Sequence, residues 1–253
     1  MAESTLQGGA MTQPMRATYR PLERPGKALW LTILTWVTPI GAIAAQLIWL
    51  TQSLPDRDMG DLQKIFYVHV PAAKTAFLAF AWVLVQSIRY LWKRDERADL
   101  QAASAAEVGA VMTGLTLAQG SIWGRPTWGV WWTWDARLTS TAVLFLVFIG
   151  YLALRGLTDD PEKRARWSAA VGILGALNVP IVYMSVKWWR TLHQPPSNSE
   201  NLDPFYALGK QVNWLMFTLI LVVCIAHRYR AHVAQRVYEM EQDEAALARR
   251  RTA

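Results

Sequence analysis

The chain alternates long apolar runs with short polar connections. The first run, LWLTILTWVTPIGAIAAQLIWL over residues 29–50, carries no charge and is long enough to cross a hydrocarbon core about 30 Å thick. Five more runs follow, at 71–91, 102–123, 138–155, 167–187 and 211–227. This pattern predicts an all-α integral membrane protein with six transmembrane helices. An even number of crossings leaves both termini on one side.

Composition agrees: 53% of the 253 residues are hydrophobic and 14 are tryptophan, more aromatic bulk than soluble chains of this length carry. The formal net charge of +7 is also a property of nucleic-acid binders, so the placement of the basic residues decides. Four Lys or Arg fall in each of the N-terminal arm, the linker RYLWKRDER and the linker RGLTDDPEKRAR, and six in the C-terminal tail, or 18 of 26. Positive-inside sorting then puts both termini in the cytoplasm and the connections 51–70, 124–137 and 188–210 on the outer side.

Three regions are expected: a flexible cytoplasmic arm over 1–28, a six-helix transmembrane domain over 29–227, and a charged helical cytoplasmic tail over 228–253. The arm holds Pro14, Pro21 and Pro25 and lacks the apolar core and small-residue cleavage site of a signal peptide. Cys224 is the single cysteine, which excludes a disulfide framework and a CxxC redox pair. The chain has no Walker-type GxxxxGK[ST], so an ATP-driven step belongs to another subunit.

The unusual residues lie in the outer connections. WGRPTWGVWWTWDARLTS, residues 123–140, holds Trp123, Trp128, Trp131, Trp132 and Trp134. An interfacial belt explains one or two such residues. Five in so short a stretch suit a flat apolar ligand, against whose faces indoles stack while excluding water. The other two outer connections each hold a histidine: His69 in FYVHVPAA, just before Pro71, and His193 in KWWRTLHQPP, beside Trp188 and Trp189. His227 and His232 lie at the inner end of the sixth run, five residues apart, without the spacing of a metal-binding helical pair.

A haem iron takes two axial ligands on opposite faces of a flat macrocycle, and neutral imidazole is a common choice. Two loops that each offer a histidine, with an aromatic platform between, match that demand. Haem propionates want cations or hydrogen-bond donors, and Arg137, Arg125, Lys64 and Arg190 are near in sequence, each equally readable as a snorkelling interfacial cation. Asp135 can cap the fourth helix or orient Arg137 or an imidazole N–H. With no CxxCH in the chain, the haem would be held non-covalently, as a b-type group.

WGVWWTWDARLTS resembles the tryptophan-rich WWD signature of haem-handling proteins in cytochrome c maturation, and FYVHVPAA and WWRTLHQP resemble their two flanking histidine loops. Size and six spans are similar to the haem exporter protein C (CcmC) family among them, over roughly residues 29–227. The resemblance implies His69 and His193 as axial ligands and residues 123–137 as the haem platform. It further implies a bacterial inner-membrane protein with its haem site facing the periplasm. Its expected partners are an ABC transporter pair (CcmA- and CcmB-like), a small single-span CcmD-like subunit and a periplasmic haem chaperone, CcmE-like, that receives the haem. The expected role is a binding and transfer component, not an enzyme. Rival readings are a haem lyase acting on apocytochrome c, for which the outer connections leave little room, and an electron-transfer cytochrome, which places its histidines inside the spans. A haem channel is a third, but the apolar runs lack a polar file across the bilayer.

Overall fold

The computed structural model describes residues 22–194 and 203–252. Among them six α-helices follow one another: α1 (Leu29–Gln52), α2 (Phe66–Lys93), α3 (Glu96–Trp128), α4 (Ala136–Leu154), α5 (Pro161–Trp188) and α6 (Pro204–Thr252). One 3-10 turn, Asp61–Ile65, leads directly into α2. Aspartates start four of the helices: Asp95, Asp135, Asp160 and Asp203 each accept at least one backbone N–H of the turn that follows, satisfying donors that have no intrahelical partner.

Five of the six helices, all but α3, are long and apolar enough to cross a membrane, so the chain is a multi-pass membrane protein. That is one fewer than the six apolar runs lead one to expect, and the composition of α3 explains the difference. Its start carries Glu96, Arg97 and Asp99, its middle Glu107, and its buried positions are mostly small, among them Ala102, Ala103, Ala105, Ala106 and Ala110. Small residues contribute little hydropathy but let helix backbones approach closely. A Cβ on Gly109 would come within 2.7 Å of the Phe80 ring and 3.0 Å of Ala79 Cβ. The helix is covered by α2, α4 and α6 and has less need of lipophilic side chains.

Helices α2 to α5 close a ring: α2 packs on α3 and α5, and α4 packs on α5 and α3. At its centre the Phe80 and Phe148 rings stack 3.7 Å apart, beside the buried Leu144, Tyr151 and Val182. α6 flanks α2 and α3, and α1 leans mainly on α6. One end of the ring gathers the starts of α2 and α4 and the ends of α3 and α5. The opposite end is tied by ion pairs. Arg155 donates two bonds to Asp99, at 2.6 and 2.8 Å, Glu107 holds Arg228 and His232, and Arg236 meets Glu96.

Two expected boundaries change. α3 continues through Trp128 and stops at Gly129, whose φ of +79° is a left-handed conformation that favours glycine. The tryptophan-rich loop expected over 124–137 therefore shrinks to residues 129–135, and Trp128 joins Trp123 in the helix. α6 begins at Pro204, ahead of the apolar run, and continues unbroken to Thr252, so the charged tail is the same helix. Of the N-terminal arm, 1–21 lie outside the described residues; Leu22 packs against Leu100, Val233 and Val237, and Arg24 pairs with Glu241. Residues 195–202 of the third outer connection also lie outside them.

Candidate functional site

His69 is the fourth residue of α2, and Pro71 falls one turn further in than an N-terminal position. Proline removes the donor that would reach the carbonyl four residues back. That carbonyl, on Tyr67, instead accepts from Gln46 Nε2 of α1 at 3.1 Å, and Gln46 also donates to Asn213 of α6 at 2.6 Å. The start of α2 is thereby fixed from two sides. His69 turns inward against Gly120 of α3, where a Cβ would lie 3.4 Å from its Cε1. Its Nδ1 is buried and has no hydrogen-bond partner among the described residues.

His193 follows the end of α5. Its Nδ1 lies 2.8 Å from the Gln194 carbonyl, which can only accept, so Nδ1 carries the proton and Nε2 keeps its lone pair. Burial pushes the imidazole below the ordinary histidine range, the Gln194 carbonyl opposing and Arg137 adding to the shift. The segment is pinned by Asp135, which caps α4 through Leu138 N–H at 2.8 Å and accepts Leu192 N–H at 3.1 Å. Of the two readings of Asp135 the N-cap holds; its other oxygen meets the Leu192 backbone N–H, while Arg137 bonds to α5 and the His193 Nδ1 to Gln194. The centres of the His69 and His193 rings lie 6.5 Å apart, with 33° between their planes.

Around the two imidazoles a cavity opens into the ring of helices, with about 1080 Å³ of free space including its mouth. Its walls include Trp123, Trp128, Trp132 and Arg137. Trp123 and Trp128 meet edge to face at 5.1 Å, and Trp128 lies 6.4 Å from the His193 ring. The Trp132 Nε1 is buried and finds no acceptor among the described residues. Arg137 donates to Ser185 Oγ at 3.0 Å and to the Tyr183 carbonyl at 3.1 Å.

The remaining sequence candidates lie elsewhere. Trp131 and Trp134 are 60% and 78% exposed, outside the cavity wall. Trp188 and Trp189 pack edge to face at 5.7 Å and are exposed, as is Arg190. Lys64 pairs with Asp61 at 2.8 Å, and Arg125 folds back onto the Gly129 carbonyl. The sequence reading did not name Thr113, Thr116, Gly120, Thr141, Tyr183 or Gln194, which also line the cavity. A helical count could have found some of them: 113, 116 and 120 lie three or four residues apart on the face that leads to Trp123.

Fold and cavity together define a multi-pass helical membrane protein with an indole-walled chamber into which two imidazoles converge at one end of its bundle. Comparison with known sequences gives the family. The profile of heme exporter protein C matches residues 22–245, and the chain belongs to that family. Among its relatives, heme exporter protein C of Bradyrhizobium diazoefficiens is 38% identical over 224 residues, 85% of each chain. The Escherichia coli K12 protein of the same name is 36% identical over 75% of this chain and 80% of its own length. That of Paracoccus denitrificans is 35% identical over 81% and 88%.

Proposed function

We propose that this chain binds haem non-covalently at the periplasmic face of a bacterial inner membrane and passes it to a periplasmic haem chaperone during cytochrome c maturation. The pair of imidazoles 6.5 Å apart carries the reading. Two imidazoles capping one metal through bonds of about 2 Å place their ring centres roughly 6 Å apart. The cavity is walled mainly by apolar and aromatic side chains, with a few convergent polar groups, as pockets for large apolar ligands are. His69 Nδ1 and Trp132 Nε1, both buried without partners, are what a site built for an extra molecule leaves unsatisfied.

In this reading His69 and His193 hold the iron as neutral ligands, and Trp123, Trp128 and Trp132 stack against the macrocycle and keep water from it. Trp131, Trp134, Trp188 and Trp189 form the exposed aromatic rim on which a receiving protein can close. Arg137, in the cavity wall, supplies the positive charge for the propionates. Asp135 keeps the His193 loop in reach of α4. Haem would supply an iron that His69 and His193 could hold through their imidazole nitrogens alone, without a covalent link to this chain. α3 serves as the sixth span, shielded from lipid by its neighbours, with both termini cytoplasmic. The energy source is an ABC pair of CcmA- and CcmB-like subunits, with a CcmD-like subunit alongside and a CcmE-like chaperone as acceptor.

The purified chain should show the visible spectrum of a bis-imidazole haem. His69→Ala and His193→Ala should each lower haem retention at least tenfold, about 1.4 kcal/mol, and change the ligation spectrum. Unchanged spectrum and haem content in both variants would remove the ligand assignment.

A further inference from the structure

A second crevice, with about 440 Å³ of free space, opens at the far end of the ring between the start of α3, the end of α4, the start of α5 and the long extension of α6. Arg155, Arg164, Arg236 and His232 line it. The carboxylates around it are already engaged. Asp99 takes both donors of Arg155, and Glu96 accepts from Arg236. Glu239 lies 3.5 Å from Arg236 and accepts from Gln235 at 3.0 Å. Glu107 holds Arg228 and His232. Arg164 is left over: its Nε is buried and has no hydrogen-bond partner, and among the described residues no carboxylate forms an ion pair with it.

The leftover is a full charge with a planar fork of donors, and that geometry matches an oxyanion better than a water. The level of the crevice narrows the choice of anion. Arg155 is the residue that ends α4 and Arg164 lies in the first turn of α5, both helices being long and apolar enough to cross a membrane. With α4 and α5 in the bilayer, the crevice sits in the headgroup layer, where basic pockets between helices take lipid phosphates. We propose that this crevice is a binding site for the phosphate of an anionic phospholipid, with Arg164 as the residue that grips it. The inference rests on α4 and α5 spanning the membrane and is independent of any haem.

Native mass spectrometry of the full chain in detergent micelles tests it, with dioleoylphosphatidylglycerol and dioleoylphosphatidylcholine as probes. The native chain should retain one phosphatidylglycerol in preference to phosphatidylcholine, and Arg164→Gln should weaken that retention at least fivefold. Arg166→Gln, which removes an exposed neighbour paired with Glu162, should leave it unchanged. The lipid preference of the native chain is a reading that no variant's folding can disturb, and equal retention of the two lipids overturns the site. So does undiminished retention in a folded Arg164→Gln chain, or an equal loss in Arg166→Gln. Displacement of the lipid by inorganic phosphate at the same concentration would make the crevice a soluble-anion site and overturn the lipid assignment.

Discussion

The two ends of the helical ring differ in what surrounds their charged and polar groups: ion pairs at one, a chamber at the other. At the end with Asp99, Glu107 and Glu96, almost every charge has a partner: Arg155, Arg228, His232 and Arg236 are all taken. At the histidine end, His69 Nδ1 and Trp132 Nε1 are buried with nothing to bond, around open space. Saturated groups hold a fold together, and unsatisfied ones in a cavity lower the cost of admitting a guest. The same bundle is thus tightened at one end and left incomplete at the other.

Four measurements break or sharpen this contrast. The largest effect belongs to Asp99→Ala, which strands a buried guanidinium whose side chain is 13% exposed; breaking such a pair costs about 3–5 kcal/mol. Thermal unfolding in micelles should fall sharply, while the folded fraction keeps its haem spectrum. At the other end, Trp128→Ala should weaken haem retention several-fold with little change in unfolding, and Trp131→Ala, outside the cavity wall, should do neither. Equal effects of the two would dissolve the distinction between wall and rim. A smaller effect appears on acidification. Burial holds His193 below its ordinary value, so the neutral ligand form persists as pH falls through about 6.5 and is lost only lower, where the visible spectrum should change. The smallest is Arg24→Ala: its ion pair with Glu241 is well exposed, and the unfolding temperature should not move.

Much of this architecture is legible in the sequence because lipid imposes long apolar runs and because rare residues cluster. Helix ends are less so. An indole at a membrane surface is equally at home in a helix or a loop, so nothing after Trp123 marks Trp128 as part of the last turn of α3, and only Gly129 signals the stop. α3 itself reads weakly because hydropathy measures affinity for lipid, and this helix faces protein. The cations divide for a reason that lies in three dimensions: Arg137 reaches the cavity by bridging to α5, whereas Lys64 and Arg125 find acceptors within their own turns. His69 and His193 were legible as a pair only through their positions on either side of the tryptophans. Their 6.5 Å approach depends on how α2 and the segment after α5 are anchored, by Gln46 and Asp135 respectively.

The length of α6 sets a dimension for whatever works beside this protein. Its 49 residues, at about 1.5 Å each, make a rod of roughly 70 Å, of which a crossing takes about 30 Å. Residues 241–252 are exposed on every face. The rod therefore carries Arg249, Arg250 and Arg251 well past the ion-paired end of the ring, and any machine that grasps that tip is held at a fixed distance from the chamber.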